Sequence, residues 1–311
     1  MKFSQAPSAL LMVRPNAFGF NPQTAGTNAF QQHVSDDSLL VHETALREFD
    51  TMVDVLRSND IEVVVIEDSA LPRKPDAVFP NNWISFHHDG SVVLYPMLAE
   101  NRRAERTNPV LDTVRQQFRI LDAVDLTGYE KQNKFLEGTG SIVFDYVNKI
   151  AYASRSARTD ETVLAELATK LGFKTVVFDA VDEQGQAIYH TNVLMCIGAK
   201  FVILCLDAIP GDEDQEKLLN SFATTGHKVI AISFDQMKQF AGNMLEVLSK
   251  SGEPVVLLSQ RAYQTLLPGQ LNALSSFAEP LPIAIPTIED RGGGSVRCMM
   301  AGIFNPALRA D

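Results

Sequence analysis

Cys298 stands in a setting suited to nucleophilic chemistry. It follows three consecutive glycines, Gly292–Gly294, in a segment that leads into an apolar stretch. Glycines let the backbone approach a ligand closely, and a thiol at such a loop–strand junction would be exposed on a rigid support. Cysteine is also a common small buried hydrophobe, so the thiol alone does not establish a site. The other two cysteines, Cys196 and Cys205, lie inside apolar runs and are predicted to belong to the core.

Two more residues could act together with a thiol. His190 precedes an apolar strand predicted from residue 193, and an imidazole at the mouth of a strand can serve as a general base. Glu137 lies between apolar residues and a glycine, where its carboxylate could orient and charge-stabilise a histidine. The alternatives are a satisfied surface histidine and a turn carboxylate. By contrast, His87 and His88 precede Asp-Gly, which predicts a hairpin turn with both imidazoles in solvent.

Polar side chains cluster between residues 75 and 83, beside the only tryptophan of the chain. Asp76, Asn81 and Asn82 are the members of this cluster that could contact a ligand. Adjacent asparagines can also form a plain turn. A thiol, an imidazole, a carboxylate and a polar clamp together make up the set that a cysteine hydrolase needs.

The bulk composition excludes several classes of protein. The net charge of −11 and the absence of any Lys/Arg run longer than Arg102-Arg103 argue against a nucleic-acid partner. Three cysteines without regular spacing predict neither a disulfide framework nor a zinc site, and favour a reducing compartment. No apolar run approaches the roughly 20 residues of a membrane span, and the N-terminus lacks the pattern of a signal peptide. We therefore expect a cytoplasmic protein without a membrane partner.

Two strands, a helix and a further strand recur about every 50–60 residues in the predicted element order. Strands are predicted at 9–13, 61–66, 92–95, 142–145, 150–154, 174–178, 193–197, 201–206, 227–232, 243–248, 255–258, 281–286 and 297–303. Helices are predicted at 36–59, 104–118, 159–171, 214–224 and 259–275. Radial repetition of such ββαβ units closes into a propeller, so we predict one closed α/β domain over residues 1–311. An ordinary two-domain α/β protein is the alternative.

Six short motifs follow one another in the order typical of the guanidino-group-modifying superfamily, which includes arginine deiminases, amidinotransferases and dimethylarginine hydrolases. They resemble its first substrate motif at 75–82, its catalytic carboxylate motif at 136–140, its carboxylate-binding arginine motif at 156–159, its histidine motif at 190–192, Gly-Asn-Met at 242–244 and the nucleophile Cys298. The resemblance spans roughly residues 10–305. It is greatest to the branch of citrulline-utilisation hydrolases.

This resemblance implies a five-bladed α/β propeller, called a pentein, and a covalent mechanism. Cys298 would attack the central carbon of a guanidino or ureido group to give a thiouronium-type intermediate. His190 would act first as general acid for the departing amine and then as base for water, with Glu137 stabilising its protonated form. Arg158 and Arg102 would bind the α-carboxylate of an amino-acid substrate. The resemblance implies neither a metal nor a cofactor.

Two asparagines depart from the deiminase pattern. Deiminase-type families carry an acidic residue where this chain has Asn82, and arginine deiminases carry an aspartate at the position of Asn192. A carboxylate pair suits a cationic guanidinium, whereas an asparagine is neutral and offers both donors and an acceptor. The asparagines therefore predict a neutral ureido substrate such as citrulline, hydrolysed to ornithine, ammonia and carbon dioxide. A dihydrolase would bind both arginine and citrulline.

Three alternatives stay open at this point. An arginine deiminase or an amidinotransferase of the same superfamily would share the thiol mechanism, with an amine as acceptor in the transferase. A non-catalytic binding protein would not need the thiol, imidazole and carboxylate together. A homo-oligomer is compatible with the sequence. Residues 16–32, rich in Asn, Gly, Phe and Pro, are predicted to form a long loop that could be a lid.

Overall fold

The computed structural model describes residues 3–28, 30–32 and 38–308, except for the side chain of residue 108. The strands in these ranges are β1 (Ala9–Arg14), β2 (Glu62–Glu67), β3 (Ile84–Phe86), β4 (Ser91–Leu94), β5 (Asp122–Asp125), β6 (Val143–Asp145), β7 (Ile150–Ser154), β8 (Lys174–Phe178), β9 (Met195–Ile197), β10 (Phe201–Leu204), β11 (Lys228–Ala231), β12 (Leu245–Leu248), β13 (Pro254–Ser259), β14 (Glu279–Ile283) and β15 (Ala301–Ile303).

The helices of the described residues vary from single turns to 21 residues. They are α1 (Pro22–Ala25), α2 (Ser38–Ser58), α3 (Glu100–Arg103), α4 (Asn108–Arg115), α5 (Gly138–Ser141), α6 (Glu161–Leu171), α7 (Thr191–Leu194), α8 (Asp212–Thr225), α9 (Phe234–Lys238), α10 (Gln260–Thr265), α11 (Pro268–Ser275) and α12 (Pro286–Gly292). None of these helices is long and apolar enough to cross a membrane.

The strands form five sheets of three strands each within the described part of the chain. In the sheets β3-β4-β5, β6-β7-β8, β9-β10-β11 and β12-β13-β14, the middle strand is antiparallel to the strand before it and parallel to the strand after it. The remaining sheet joins both ends of the chain, because β1 is parallel to β2 and antiparallel to β15. The predicted unit of two strands, a helix and a strand is thereby confirmed.

The middle strands are apolar because they are covered on both faces. All four residues of β10 are buried, as is typical of strands that pair in parallel beneath crossover helices. The helices present one apolar stripe to the sheets, as α2 does with Ala45, Phe49, Met52 and Leu56. Leu39, near the start of the same helix, is 62% exposed. The predicted helix start at residue 36 lies outside the described residues.

Five short turns precede the first strands of the sheets, and four of them contain candidate site residues or directly follow one. The five turns are the 3₁₀ helix Pro80–Asn82 before β3, α5 before β6, α7 before β9, the turn 240–243 before β12 and the 3₁₀ helix Val296–Met299 before β15. Two of them were predicted as strand, at 193–194 and 297–299, and that prediction is wrong. Apolar runs of this length do not distinguish a buried helical turn from a strand.

Two further predicted elements differ from the structure for local reasons. The helix predicted at 259–275 is two helices, α10 and α11, because Pro268 begins the second one and cannot continue the first. The helix predicted at 104–118 is the shorter α4, and α3 precedes it. By contrast, α6 ends at Leu171 as predicted, followed by Gly172 in the left-handed conformation that favours glycine at helix ends.

A small cavity of about 50 Å³ is lined by the first strands of all five sheets. Its walls include Ser85 of β3, Val143 of β6, Cys196 of β9, Glu246 of β12 and Ala301 of β15. The first strands of neighbouring sheets also pack directly on one another, as β15 does on β3 and β6 on β9. The five sheets thus meet along their first strands.

The turn at His87 is present as predicted, but its imidazole is not in solvent. Gly90 N–H donates to the His87 carbonyl, and the His87 side chain is only 3% exposed, between Phe144 and Tyr146. Its Nε2 lies 2.7 Å from the Ser85 hydroxyl. The prediction failed because Asp-Gly marks a turn but does not report which side chain of the turn faces the neighbouring sheet.

Burial of His87 predicts a loss of stability in mild acid. Burial lowers the pKa of His87 to about 3, so below about pH 6.5 the unfolded chain binds a proton that the folded chain does not. The folded state should lose about 2 kcal/mol from this group between pH 7 and pH 5. In His87→Phe this loss should be absent. Urea unfolding at both pH values measures it, and an equal pH dependence in the two proteins would contradict the prediction.

Candidate active site

Cys298 lies in the 3₁₀ helix Val296–Met299, directly before β15. The thiol was predicted to be exposed, but Cys298 is only 7% exposed. The preceding glycines allow this packing, because a Cβ on Gly294 would come within 2.8 Å of the Phe79 ring. The loop is anchored by Ser295, whose hydroxyl donates to Glu289 Oε1 at 2.7 Å. A rigid, shielded thiol is the result.

His190 and Glu137 form a buried pair. His190 Nε2 lies 2.9 Å from Glu137 Oε2, and the two residues are 3% and 1% exposed. Burial lowers the pKa of His190 to about 4, although the hydrogen bond and charge of Glu137 oppose this. The resting imidazole is therefore neutral at pH 7. Because a carboxylate only accepts, Nε2 carries the proton, and Nδ1 is left as the basic nitrogen.

Glu137 is kept ionised although it is buried. Burial by itself would raise the pKa of Glu137, but the charge of Arg158 and the hydrogen bond from His190 outweigh it, so this pKa lies well below its ordinary value. Arg158 Nη1 lies 3.3 Å from Glu137 Oε2, and Leu98 N–H donates to Oε1 at 3.1 Å. The pair can thus stabilise an imidazolium that forms during a reaction.

Two asparagine amides surround the sulfur of Cys298. Asn243 Nδ2 lies 3.3 Å from Sγ, and Asn192 Nδ2 lies 3.7 Å from it. Asn192 belongs to α7, which begins directly after His190. The same short helix therefore positions both the imidazole and the asparagine that contacts the thiol. Asn192 Oδ1 is buried and has no hydrogen-bond partner among the described residues. It is therefore free to accept a hydrogen bond from a ligand.

Asn82 presents a donor to the same region. Its Oδ1 accepts from Arg102 Nη1 at 2.7 Å, and because a guanidinium only donates, this contact fixes the orientation of the amide. Asn82 Nδ2 is consequently turned inward, and it has no partner in the part of the chain that the structure describes. A Cβ on Gly140 would lie 2.4 Å from this nitrogen and 2.8 Å from the His190 ring, so Asn82 and His190 meet across Gly140.

Arg102 is buried, whereas the adjacent Arg103 is only partly buried. The guanidinium of Arg102 binds both carboxylate oxygens of Glu105 at 2.9 and 2.8 Å and lies 3.8 Å from Asp76. Burial raises the pKa of Glu105 to about 7, with the charge of Arg102 opposing it. Arg103 faces away and donates to the Met97 carbonyl. The pairing with Glu105 was missed in the sequence, although the i, i+3 spacing was a usable signal.

Asp76 and Asn81 bring further polar atoms into the cluster. Asp76 Oδ2 accepts from Asn21 at 2.7 Å and from Thr24 at 3.3 Å, whereas its Oδ1 lacks a partner within the described ranges. Neither side-chain atom of Asn81 is bonded in those ranges either. Burial raises the pKa of Asp76, and Arg102 and Asn21 counteract this. All nine predicted site residues are buried, and the contacts above link eight of them.

Residues 16–28 and 30–32 of the predicted loop pack against this cluster, and they include the short helix α1, which the sequence did not predict. Arg158 Nη2 donates to the Thr27 hydroxyl at 2.5 Å and to the Thr24 carbonyl at 3.4 Å. On the nucleophile side, Asn28 Nδ2 lies 3.3 Å from the Gly293 carbonyl. A cavity of about 680 Å³ lies beside the loop, lined in part by Thr27 and Tyr189. Thr24 and Thr27 were not found from the sequence, because nothing local marks a loop residue that contacts a distant arginine.

No group of three or more His, Cys, Asp or Glu side chains is spaced to hold a metal ion in residues 3–28, 30–32 and 38–308. All three cysteines are free thiols, and Cys196 and Cys205 are buried in the core as predicted. The residues of the cluster thus supply a thiol, a neutral imidazole paired with a carboxylate, and asparagine amides with unpaired atoms. That set can perform nucleophilic attack with proton transfer.

Comparison with known families decides the assignment. Residues 14–305 match the model of the eukaryotic N,N-dimethylarginine dimethylhydrolase family. The chain belongs to this family. The predicted membership of the guanidino-modifying superfamily is thereby confirmed, as is the prediction of a hydrolase that acts on C–N bonds of linear amidine compounds. No curated protein sequence matches the chain.

Solved structures share the fold of this dimethylarginine dimethylhydrolase family member. The substrate-bound N-terminal domain of ArgZ, an arginine dihydrolase from cyanobacteria, matches with a TM-score of 0.74 at 15% identity, over 96% of this chain and 99% of that domain. Full-length ArgZ matches with a TM-score of 0.72 at 16% identity, and this chain covers only 41% of its length. The citrulline complex of the Pseudomonas aeruginosa dimethylarginine hydrolase matches with a TM-score of 0.65 at 14% identity, over 95% and 99% of the two chains.

Proposed function

We propose that the chain hydrolyses citrulline, or a close ureido relative, through a covalent adduct on Cys298. The orientation of Asn82 carries this proposal, because Arg102 holds the amide oxygen and turns the amide nitrogen toward the site. A ureido group has one carbonyl oxygen and N–H donors. Asn82 Nδ2 can donate to the ureido oxygen, and the unpaired Oδ1 of Asn192 can accept from a ureido N–H group. A guanidinium has no oxygen to accept from Asn82.

The remaining polar groups suit the amino-acid end of such a substrate. Asp76 Oδ1 is an acceptor available for an α-ammonium group. Arg158 Nε is buried without a partner in the described residues, which supports its predicted contact with the α-carboxylate. Binding of the α-carboxylate by Arg102 was also predicted and stays a prediction. The guanidinium of Arg102 already binds Glu105. We propose instead that Arg102 fixes the Asn82 amide.

The proposed reaction proceeds in two halves. His190 Nδ1 takes the thiol proton, and the thiolate of Cys298 attacks the ureido carbon. The C–N bond to the terminal nitrogen breaks, ammonia leaves with the proton from His190, and an S-carbamoyl adduct remains. His190 then activates water, which displaces the thiolate. The resulting carbamate breaks down to ornithine and carbon dioxide, so one water is consumed for each ornithine, ammonia and carbon dioxide released. Glu137 stabilises the imidazolium in both halves.

Access to the thiol would require the loop 16–32 to separate from its contacts. Thr27 binds Arg158, which holds the substrate in this proposal. Asn28 binds Gly293, in the segment that holds the nucleophile. The loop would therefore close over a bound substrate, as was suggested by its length. We expect a cytoplasmic enzyme with an amino acid as its small-molecule partner.

We also propose that the five sheets form a five-bladed propeller and one closed domain over residues 1–311. The shared cavity, lined by the first strand of every sheet, supports a radial arrangement. The pairing of β15 with β1 supports closure between the two ends of the chain. In such an arrangement the five turns before the first strands lie at one end, where the candidate site residues are found.

Ammonia and ornithine release from citrulline and from arginine tests the proposed activity. We expect turnover of citrulline. Turnover of arginine as well would identify a dihydrolase, and turnover of arginine that stops at citrulline would contradict the role assigned to Asn82. Turnover that appears only after an acceptor amine is added would identify an amidinotransferase. Absence of any turnover would favour a binding protein.

A further inference from the structure

Asn243 has no part in the mechanism above, yet it makes the shortest hydrogen bond to the nucleophile. Its Nδ2 lies 3.3 Å from Cys298 Sγ, compared with 3.7 Å for Asn192. The residue is buried in the turn before β12. This is the one of the five turns to which no catalytic or binding residue has been assigned. A buried amide aimed at a nucleophilic sulfur therefore needs an explanation.

The orientation of the Asn243 amide is fixed by two backbone partners. Its Nδ2 donates to the Asn192 carbonyl at 3.1 Å, and its Oδ1 accepts from Arg297 N–H at 3.1 Å. A carbonyl only accepts and a backbone N–H only donates, so the reversed orientation would break both bonds. The second hydrogen of Nδ2 is consequently left for the sulfur. The amide is thus the donor in its shorter contact with Cys298, and the resting S–H can itself donate to Asn243 Oδ1 at 3.7 Å. A thiolate can only accept, so Nδ2 is the group that would stabilise it.

The backbone around Asn243 is held in an unusual conformation. Phe240 has a positive φ of 63°, which is uncommon for a residue with a bulky side chain. Gly242 packs so closely on α7 that a Cβ would lie 2.3 Å from the Val193 carbonyl. Strained backbone of this kind persists where the surrounding structure requires a particular geometry. Here it places the amide between the turn of Asn192 and the turn of Cys298.

His190 does not supply the cationic partner that many cysteine nucleophiles have. A protonated histidine commonly stabilises the thiolate in such enzymes, but burial lowers the pKa of His190 to about 4. A ureido substrate carries no charge at the reacting group either. Fixed dipoles can then stabilise the thiolate beside the charge of Arg297, and they are most effective in a site that excludes water.

We propose that Asn243 is a positioning residue that holds Cys298 and stabilises its thiolate through the second N–H of its amide. This rests on the proposed function only in that Cys298 is the nucleophile. The substrate does not contact Asn243 in this scheme. Asn243 therefore acts on the reactivity of the thiol rather than on substrate affinity.

The rate of Cys298 alkylation by iodoacetamide as a function of pH tests this role without any substrate. We expect the profile of Asn243→Ser to move to higher pH by about one unit, and that of Asn243→Asp to move further, because its carboxylate repels the thiolate. Peptide mass spectrometry identifies alkylation at Cys298. Tyr189 and Arg297 are the titratable neighbours whose pKa values respond to the charge of Cys298, and both stay in every variant.

Citrulline kinetics give the second readout. The serine variant should lose about 100-fold in kcat with KM unchanged, whereas a merely structural role would lower the folded fraction and leave the alkylation profile in place. The serine variant is the milder change and keeps the test open if the aspartate variant does not fold. Unshifted profiles in the folded variants would overturn the proposal. If no ureido or guanidino compound is turned over, the alkylation profile still decides the role of Asn243.

Discussion

Cys298→Ala is expected to abolish turnover of citrulline, with a loss of at least about 10⁴-fold in kcat. The proposed reaction has no step that avoids the sulfur, since the carbamoyl group is transferred first to Cys298 and only then to water. His190 and Glu137 would remain in place but would have no nucleophile to deprotonate. Ammonia release in a coupled assay measures the loss.

The same variant should keep its fold and its ligand. Removal of one buried sulfur atom from the 3₁₀ helix Val296–Met299 leaves the hydrogen bond between Ser295 and Glu289 intact. Isothermal titration should therefore detect citrulline binding to Cys298→Ala. Cys205→Ala is the matched control, because Cys205 is equally a buried free thiol but lies in the core. Full activity in Cys298→Ala, or an equal loss in Cys205→Ala, would contradict the assignment of the nucleophile.

Asn82→Asp should reverse the preference between citrulline and arginine. One carboxylate oxygen can keep the bond to Arg102, and the other replaces Nδ2 and faces the ureido oxygen. Two acceptors then oppose each other in a buried site, which should lower kcat/KM for citrulline by about 100-fold or more. A guanidinium offers N–H groups and a positive charge to the same oxygen, so the ratio of kcat/KM for arginine over citrulline should rise about 1,000-fold.

Two control variants separate charge from geometry. Asn82→Ser removes the donor without adding a carboxylate, so it should lower citrulline turnover without a gain for arginine. Asn220→Asp adds the same charge on the exposed face of α8 and should change neither substrate. If Asn82→Asp keeps the wild-type preference, the neutral amide of Asn82 does not select the substrate, and the ureido specificity must have another origin.

The sequence determined the residue types and their order along the chain. The motifs around Asp76, Glu137, His190 and Cys298 were sufficient to predict the family, because each is a short local signal and their order adds specificity. The ββαβ repeat was also readable, since alternation between apolar strands and amphipathic helices depends on local periodicity. Elements with weak local signals were missed, as β5 was, whose Asp122–Asp125 segment is largely exposed.

Only the tertiary structure decided how these groups face one another. Asn82 acquires its role as a donor from Arg102, 20 residues away in sequence, and Asn243 acquires its contact with the thiol from backbone partners at Asn192 and Arg297. His87 was predicted in solvent and is buried, because the neighbouring sheet covers it. Local sequence fixes which atoms can donate or accept, whereas burial and long-range packing fix which of them remain unpaired and where they point.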